Sequence, residues 1–307
     1  MQSSHRNSEC PPEARSMAQE IWCRFRRHPG AVGGAIVFGI LVLAVLLAPL
    51  SPYDPTKSDV LDRLQPPSLD HPMGTDPLGR DVMTRVLYGG RISLLVGVMV
   101  VGIVLLIGVP LGALAGYFGG WVDNVIMRVT DAALTLPALL VLILLSTILR
   151  EIDLPILQRN SVLTIALVIG LLSWTTTARL VRASFLSIRE KDFVMGARSI
   201  GASDFRIMRR HILPNAGGPI IVEATLEMGY AIMQESGLSF LGLGIQPPTP
   251  SWGNLLSNAQ AHLAPHPWLA IFPGLMIFLA IIAVNYIGDG LRDALDPFKV
   301  LHEVGEV

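Results

Sequence analysis

Long uncharged stretches alternate with polar segments along this chain. The stretches of bilayer-spanning length lie at 31–50, 92–116, 132–149, 161–178 and 268–288. An α-helix rises 1.5 Å per residue, so about 20 apolar residues cross the hydrocarbon core of a membrane. The pattern therefore predicts five membrane-spanning helices.

A sixth stretch, residues 217–241, is mostly apolar but carries Glu223, Glu227 and Glu235. Acidic side chains inside a membrane face other helices or a water-filled path rather than lipid. We predict a sixth spanning helix here, with its polar face hidden from the bilayer. The predicted fold class is all-α, a polytopic membrane protein with six transmembrane helices.

Composition and charge placement support a membrane protein and orient it. Of the 307 residues, 51% are hydrophobic and 15% are charged, and the mean hydropathy is +0.53, which is too apolar for an ordinary soluble domain. The net charge of −1 conceals separate clusters of acids and bases. With the N-terminus inside, the cytoplasmic segments hold more Lys and Arg than the external ones, as the positive-inside rule requires. We expect the lipid bilayer as a partner, both termini in the cytoplasm, and no nucleic acid.

The order of these spans predicts the domain organisation. It consists of a cytoplasmic N-terminal tail at 1–30, a first transmembrane helix at 31–50, an external loop with a surface helix at 51–91, a five-helix core at 92–291 that includes a charged loop at 187–215, and a cytoplasmic C-terminal tail at 292–307. In the external loop, Asp76 is placed as a helix N-cap and Pro77 at the first helical position. This pair predicts the short surface helix, which leads into the second span.

Small residues and prolines predict how the spans pack and bend. Glycine recurs at every fourth position at Gly108, Gly112, Gly116 and Gly120. Small residues at this spacing let two helix backbones approach closely in lipid, and we favour packing within the chain over a contact with another subunit. Pro110 and Pro137 lie inside predicted spans and are expected to bend or break them.

The charged loop 187–215 has a helical periodicity of its own. Phe193, Ala197 and Ile200 fall on one helical face. Gly201 is typical of a helix C-terminus, and Ser203 or Asp204 of the N-cap of a following helix. The pattern predicts a helix, a sharp turn and a second helix. Two contacts remain open for its apolar face at this point, anionic lipid or a groove on a partner protein.

This loop resembles the cytoplasmic coupling loop of ABC-transporter permeases. The family pattern is Glu-Ala-Ala, followed by Gly and later by His-x-Leu-Pro at fixed spacing. The matching residues are Ala197, Gly201, His211, Leu213 and Pro214. Met195 and Gly196 stand at the Glu and first Ala positions, so no role of that Glu carries over to this chain.

Three further stretches resemble the dipeptide/oligopeptide/nickel branch of these binding-protein-dependent permeases. They read HPMGTDPLGRD at 71–81, LSFLGLG at 238–244 followed by PPTPSWG at 247–253, and GDGLRDALDP at 288–297. Together with the coupling loop, they extend the resemblance over residues 24–298. The chain is identified as a member of this family, of the second permease subunit type.

The resemblance implies a type I ABC importer permease fold with a cytoplasmic coupling helix, in the cell inner membrane. It implies an assembly with a homologous second permease subunit, two ABC ATPase subunits and an external solute-binding protein. The implied substrate is a peptide, with nickel or glutathione as alternatives.

The chain itself carries no sign of an ATP site. Its lysines are Lys57, Lys191 and Lys299, and none of them follows a glycine, so the usual phosphate loop is absent from the sequence. ATP and Mg²⁺ are therefore expected in the partner ATPases. We expect this chain to be a non-catalytic subunit without a cofactor or a metal site.

The resemblance also singles out residues for contact with the ATPase. They are Phe193, Ala197, Arg198, Ile200, Gly201, Ala202 and Asp204. We predict that Phe193 and Ile200 are apolar anchors and that Arg198 is a polar contact at the rim.

Acidic residues of the predicted spans leave two interpretations open. Glu223 and Glu227 share one helical face, and they either line the translocation path, facing the ammonium end of a peptide, or form helix-end and interhelical hydrogen bonds. For Glu235 we favour the hydrogen bonds. The alternative from another functional class is a proton-coupled secondary transporter, with Glu223, Glu227 and Asp131 as a relay. For Asp131, an ion pair with Arg128 is favoured over a relay.

Overall fold

The computed structural model describes residues 17–151 and 160–295. Within these ranges the regular structure is helical, apart from one isolated bridge between Thr75 and Asp81. The main α-helices, numbered in chain order, are α1 Met17–Arg27, α2 Pro29–Leu46, α3 Val82–Phe118, α4 Gly120–Thr135, α5 Ala138–Glu151, α6 Ser161–Arg189, α7 Asp192–Ser199, α8 Leu213–Phe240, α9 Trp252–Ala259 and α10 Trp268–Leu295. The outer parts of both predicted tails, 1–16 and 296–307, lie outside the described residues.

Four helices in the described ranges are long and apolar enough to cross a membrane, namely α2, α3, α6 and α10. The pair α4 and α5 is bent by 96° and adds a fifth if the two helices form one span. α8 has 28 residues, which is long enough to cross, but its polar residues keep it out of this apolar class. The described chain thus shows four or five apolar spans where six were predicted.

The two prolines of the predicted spans behave differently. The break between α4 and α5 lies at Pro137, because a proline disfavours helical backbone at the residue before it, and Leu136 has a ψ of 141°. Pro110 lies inside α3, which continues past it. Contacts with α6 on both sides of Pro110 hold α3 together, at Gly108 and Gly112. The sequence therefore predicts the break at Pro137 correctly, and α3 is not broken at Pro110.

α3 begins at Val82, after the predicted start of the surface helix at Asp76 and before the predicted second span at 92. Its N-cap is Asp81, whose carboxylate accepts a hydrogen bond from a backbone N–H of the first turn at 2.7 Å. Asp76 does not cap a helix, because its carboxylate accepts hydrogen bonds from the backbone N–H groups of Leu78 and Arg80 at 2.8 and 3.0 Å and so closes a tight turn. Gly79 has a φ of +73°, which a helix does not allow. The predicted surface helix starting at Asp76 is therefore wrong, and α3 runs directly into the second span.

α3 packs along α6 through a row of glycines. A Cβ atom added at Gly108 would lie 2.9 Å from the carbonyl oxygen of Trp174, and one added at Gly116 would lie 2.6 Å from that of Arg182. Gly112 packs between them against the intervening turn of α6. These three glycines confirm the predicted packing within the chain. The fourth glycine of the repeat has no such neighbour within 4 Å.

α8 occupies the middle of the helix bundle. It contacts α3, α6, α9 and α10, and α10 also packs along α2. Trp252 of α9 is fully buried beside this contact, and its indole N–H donates to the carbonyl of Val86 at 2.9 Å. Because these neighbours cover part of α8, its acidic residues Glu227 and Glu235 are buried against protein.

The predicted N-terminal tail contains a helix, α1. Phe25 of α1 packs with Ala31 and Ala294 in a small buried cluster, so α1 lies against the end of α10. Trp22 of the same helix is 61% exposed. The four-residue spacing of Ile21 and Phe25 is the sequence signal for this helix.

Candidate functional site

An elbow formed by residues 192–212 lies between α6 and α8. Its first arm is α7, and its second arm consists of a helical turn at Asp204–Arg206 and a π-helical segment at Ile207–Ile212 that continues into α8. The bend between the arms lies at Gly201, which has a φ of +82°. The predicted helix, sharp turn and second helix are confirmed.

Two backbone hydrogen bonds close the bend at Gly201. The Gly201 N–H donates to the carbonyl of Arg198 at 3.0 Å, and the Ala202 N–H donates to the carbonyl of Ala197 at 3.1 Å. This arrangement requires a left-handed backbone at the bend, which glycine adopts without steric cost. A Cβ atom added at Gly201 would meet nothing within 4 Å, so backbone conformation alone favours glycine here.

The apolar side chains of the elbow point in two directions. Val194 and Ala197 are buried in a cluster shared with the second arm. In contrast, Phe193, Ile200 and Phe205 are 46%, 86% and 66% exposed, and we call these three residues the elbow surface. The residues of the one predicted apolar face therefore differ in burial. Ala197 packs inside the elbow, while Phe193 and Ile200 are exposed. Exposed apolar side chains in such a group are typical of a contact site.

Tyr117, near the end of α3, joins the two arms of the elbow. Its hydroxyl donates to the Asp204 carboxylate at 2.5 Å and accepts from the Arg198 guanidinium at 3.2 Å. The guanidinium also lies 5.7 Å from the centre of the Tyr117 ring, and the hydrogen bond to Tyr117 raises the pKa of Arg198. Arg198, predicted as a rim contact, is exposed and is at the same time tied to α3. Nothing in the local sequence around Tyr117 indicates this role, because its partners are distant along the chain.

Two ion pairs join α4 to α6. Arg182 donates to Asp123, with a distance of 2.6 Å between Nη2 and Oδ2, and Arg179 pairs with Asp131. The predicted partner of Asp131, Arg128, is therefore wrong. Because α4 packs against α6 at this level, the guanidinium of Arg179 on α6 is the partner of Asp131.

A cavity of about 660 Å³ lies between α4, α5, α6, α8 and α10. Its polar lining residues are Ser173, Thr175, Thr176, Glu223, Glu227, Tyr230, Gln234 and Asn285. The structure thus brings Glu223 and Glu227 into one cavity. Glu227 is only 7% exposed, and its Oε1 atom is buried without a hydrogen-bond partner among the described residues.

Glu235 has a different environment from the other two glutamates of α8. It is fully buried and accepts hydrogen bonds from Ser93 at 2.8 Å and Ser239 at 2.6 Å. Ser93 belongs to α3, so its bond joins two helices, whereas Ser239 lies one turn along α8 itself. This is the interhelical arrangement favoured for Glu235 from the sequence.

The elbow and most of the bundle match a known family. Residues 108–300 match the family described as the binding-protein-dependent transport system inner membrane component. The chain belongs to this family. Residues 16–67 match a further description, the N-terminal TM domain of oligopeptide transport permease C.

Curated members of this permease family are similar over nearly the whole chain. The dipeptide transport system permease protein DppC of Alkalihalophilus pseudofirmus is 42% identical over 294 residues, which cover 94% of this chain and 93% of the relative. The protein of the same name from Bacillus subtilis is 42% identical over 284 residues, 92% of this chain and 86% of the relative. The glutathione transport system permease protein GsiD of Escherichia coli is 42% identical over 289 residues, 94% and 92% of the two chains.

Family membership defines the role of this permease in general terms. It is a multi-pass protein of the inner membrane and belongs to a binding-protein-dependent ABC transport system. In such a system a binding protein, a partner permease and an ATPase act together, and ATP hydrolysis belongs to the separate ATPase. The permease is a non-catalytic subunit without a cofactor of its own.

Proposed function

We propose that this chain forms half of the membrane pathway of an ATP-driven peptide importer. The observation that carries this proposal is its 42% identity, over 94% of its length, to a dipeptide transport permease. A homologous second permease would form the other half of the pathway. Two ATPase subunits and an external solute-binding protein would complete the assembly.

The elbow surface supports coupling to an ATPase. Phe193, Ile200 and Phe205 place exposed apolar area on both arms, and apolar side chains at helical spacing fit a groove on a partner protein. In this proposal Phe193 and Ile200 anchor the elbow in a cleft of the ATPase. ATP binding closes the cleft and moves the elbow together with α6 and α8.

The remaining predicted coupling residues act on the shape of the elbow. They are Ala197, Arg198, Gly201, Ala202 and Asp204. Each either closes the bend or holds an arm in place, so we assign them to positioning rather than to direct contact. Arg198 is exposed as well as bonded to Tyr117, so it also remains proposed as a polar contact at the rim.

We further propose six membrane spans in the type I importer fold. The bent pair α4–α5 serves as one span and α8 as the sixth, with the termini and the elbow in the cytoplasm. Single cysteines at Ser203 in the elbow and Thr56 in the external loop would test this topology in intact cells. An impermeant maleimide should label T56C directly and S203C only after permeabilisation, and the reverse pattern would contradict the orientation.

Glu223 and Glu227 are assigned to the translocation path. They line one cavity between five helices rather than bonding helix ends together, and this location supports the pathway interpretation. A partner permease covering the open side would turn the cavity into part of an enclosed route.

Reconstitution tests the proposed function directly. Liposomes that contain the complete transporter, with ATP on the ATPase side and binding protein on the other, should accumulate labelled alanyl-alanine. The similarity to GsiD makes labelled glutathione the second substrate to measure, and nickel the third.

The energy source is tested in the same liposomes. Transport should continue after an ionophore abolishes the proton gradient at constant ATP. Loss of transport under that condition would support a proton-coupled transporter instead.

A further inference from the structure

The membrane cavity has an unbalanced set of charges. Glu223 and Glu227 line it one helical turn apart, and the described lining residues include no Lys, Arg or His. A carboxylate removed from water is costly unless an opposite charge or hydrogen-bond donors accompany it. The cavity therefore has the electrostatics of a site for a cation.

Glu227 provides a second and independent observation. Glu227 is only 7% exposed in the wall of the cavity. Its Oε1 atom is buried without a partner among the described residues. A buried acceptor without a donor is destabilising, so a donor supplied by a ligand would relieve that cost.

The remaining lining residues define the rest of the ligand. The apolar wall consists of Ala133, Leu134, Leu136, Ala138, Leu142, Leu172, Leu226, Met233 and Ile281. Tyr230 accepts a hydrogen bond from Gln234 at 2.6 Å, which leaves the Tyr230 hydroxyl hydrogen available to donate. The cavity thus combines an acidic end with apolar walls and neutral polar groups. Its volume of about 660 Å³ lies within the range of small-molecule sites.

We propose that this cavity binds the protonated α-amino group of a peptide in transit, with Glu227 and Glu223 as its acceptors. The free amino group of a peptide has an ordinary pKa of about 7.7–8.0, so it is mainly a cation at neutral pH. An ammonium group donates up to three hydrogen bonds, which suits two carboxylates and nearby neutral acceptors. The described residues contain no group of three or more His, Cys, Asp or Glu placed to hold a metal ion. This site rests on the proposed function, since it selects the peptide that the pathway carries.

Uptake by the reconstituted complete transporter tests the site. Removing one acceptor of a charged hydrogen bond costs about 1.5–3 kcal/mol, so the E223Q/E227Q double variant should import alanyl-alanine at least about tenfold more slowly. Glu227→Asp retains the charge and should lose less than Glu227→Gln. Glu20→Gln removes an exposed carboxylate of α1 outside the cavity and serves as the matched control. If the double variant imports alanyl-alanine within about twofold of the wild-type rate, the proposed site is overturned.

Protection from chemical modification gives a measurement that needs no variant. Dicyclohexylcarbodiimide modifies carboxyl groups in apolar surroundings, and mass spectrometry reports the fraction of Glu227 that carries its N-acylurea. In the wild-type transporter, alanyl-alanine amide should lower that fraction, whereas propionyl-alanine amide, which lacks only the amino group, should not. Equal protection by both compounds, or by neither, would contradict an ammonium site.

The two proposals fail in different ways. A wild-type transporter that shows no ATP-dependent uptake of alanyl-alanine counts against peptide import itself. Normal wild-type uptake, combined with unchanged uptake by the double variant or unselective protection of Glu227, counts against the ammonium site alone.

Discussion

At the scale of single residues, Tyr117 links α3 to the elbow through one hydroxyl group. That group bonds to Asp204 and Arg198, one on each side of the bend. Both partners lie on exposed arms of the elbow, so water can replace the hydroxyl without leaving a buried charge unpaired. Loss of the hydroxyl should therefore change stability little, and under the proposed coupling it would remove a link between α3 and the elbow.

Tyr117→Phe should uncouple transport from ATP hydrolysis. The variant keeps the ring and its contact with the Arg198 guanidinium but loses hydrogen bonds worth about 0.5–1.5 kcal/mol each. We expect peptide uptake per ATP hydrolysed to fall by about two- to tenfold, with little change in thermal stability. Uptake and phosphate release measured in the same liposomes check this. Tyr286→Phe on α10 is the control, and an equal loss there would show that the effect is not specific to the elbow.

At the scale of elements, the contact between α3 and α6 depends on the absence of side chains. A Cβ atom added at Gly112 would overlap the carbonyl of Ala178, and it would lie 2.8 Å from the Cβ of Val181. Gly102, in the same helix, has nothing within 4 Å. Substitutions at these two positions therefore distinguish the effect of helix packing, which differs between them, from the effect of helix propensity, which they share.

Gly112→Ala should destabilise the protein, whereas Gly102→Ala should not. Overpacking of a close contact costs about 1–3 kcal/mol, because the two helices must separate. Alanine at the uncrowded position instead gains about 1 kcal/mol of helix propensity. Thermal unfolding of the two purified variants in the same detergent compares them. Similar midpoints for both would indicate that α3 and α6 are not tightly packed there.

The bend of the elbow makes a prediction of its own. Gly201→Val forces a β-branched residue into a left-handed backbone, at a cost of about 1–3 kcal/mol. A Cβ atom at this position meets nothing within 4 Å, so we expect the backbone strain to reorient the arms rather than the core. We expect lower uptake and lower transport-coupled ATPase activity with normal insertion into the membrane. Gly196→Ala, also without a neighbour within 4 Å but inside α7, should transport normally. Full transport by Gly201→Val would argue against a shaped docking elbow.

At the scale of the whole molecule, the elbow surface is the part of the chain that we propose an ATPase covers. Its apolar side chains are exposed beside the basic residues Arg206, Arg209 and Arg210. In inside-out vesicles, trypsin should cleave at this elbow when the ATPase is absent and should cleave much more slowly when it is bound. Immunoblotting of the two fragments measures the rate. Equal cleavage in both preparations would place the ATPase elsewhere.

Local patterns in the sequence predict much of this architecture. The long uncharged runs correspond to α2, α3, α6 and α10, and Gly201 marks the bend because its backbone requirement is local. The elbow's spacing also identifies the family before any contact is known. Elements set by neighbouring residues are therefore accessible from sequence.

Contacts between distant segments explain the remaining differences. Arg179 replaces Arg128 as the partner of Asp131 because α6 happens to pack there, and the Tyr117 link joins residues from separate parts of the chain. Similarly, the shared cavity of Glu223 and Glu227 depends on where five helices meet. Periodicity shows that these two glutamates lie on one face, but it cannot show what that face encloses.

The length of α3 has a mechanical consequence. Its 37 residues make a rod of about 55 Å, well beyond the roughly 30 Å of a bilayer's hydrocarbon core. One unbroken helix thus follows its N-cap Asp81 and reaches the elbow at Tyr117. In the topology proposed above, its first turn lies outside the membrane and its last turn inside. A tilt imposed at the Tyr117 end would then displace the other end in the opposite direction about the glycine contact with α6, so this one helix would transmit the state of the ATPase to the external face.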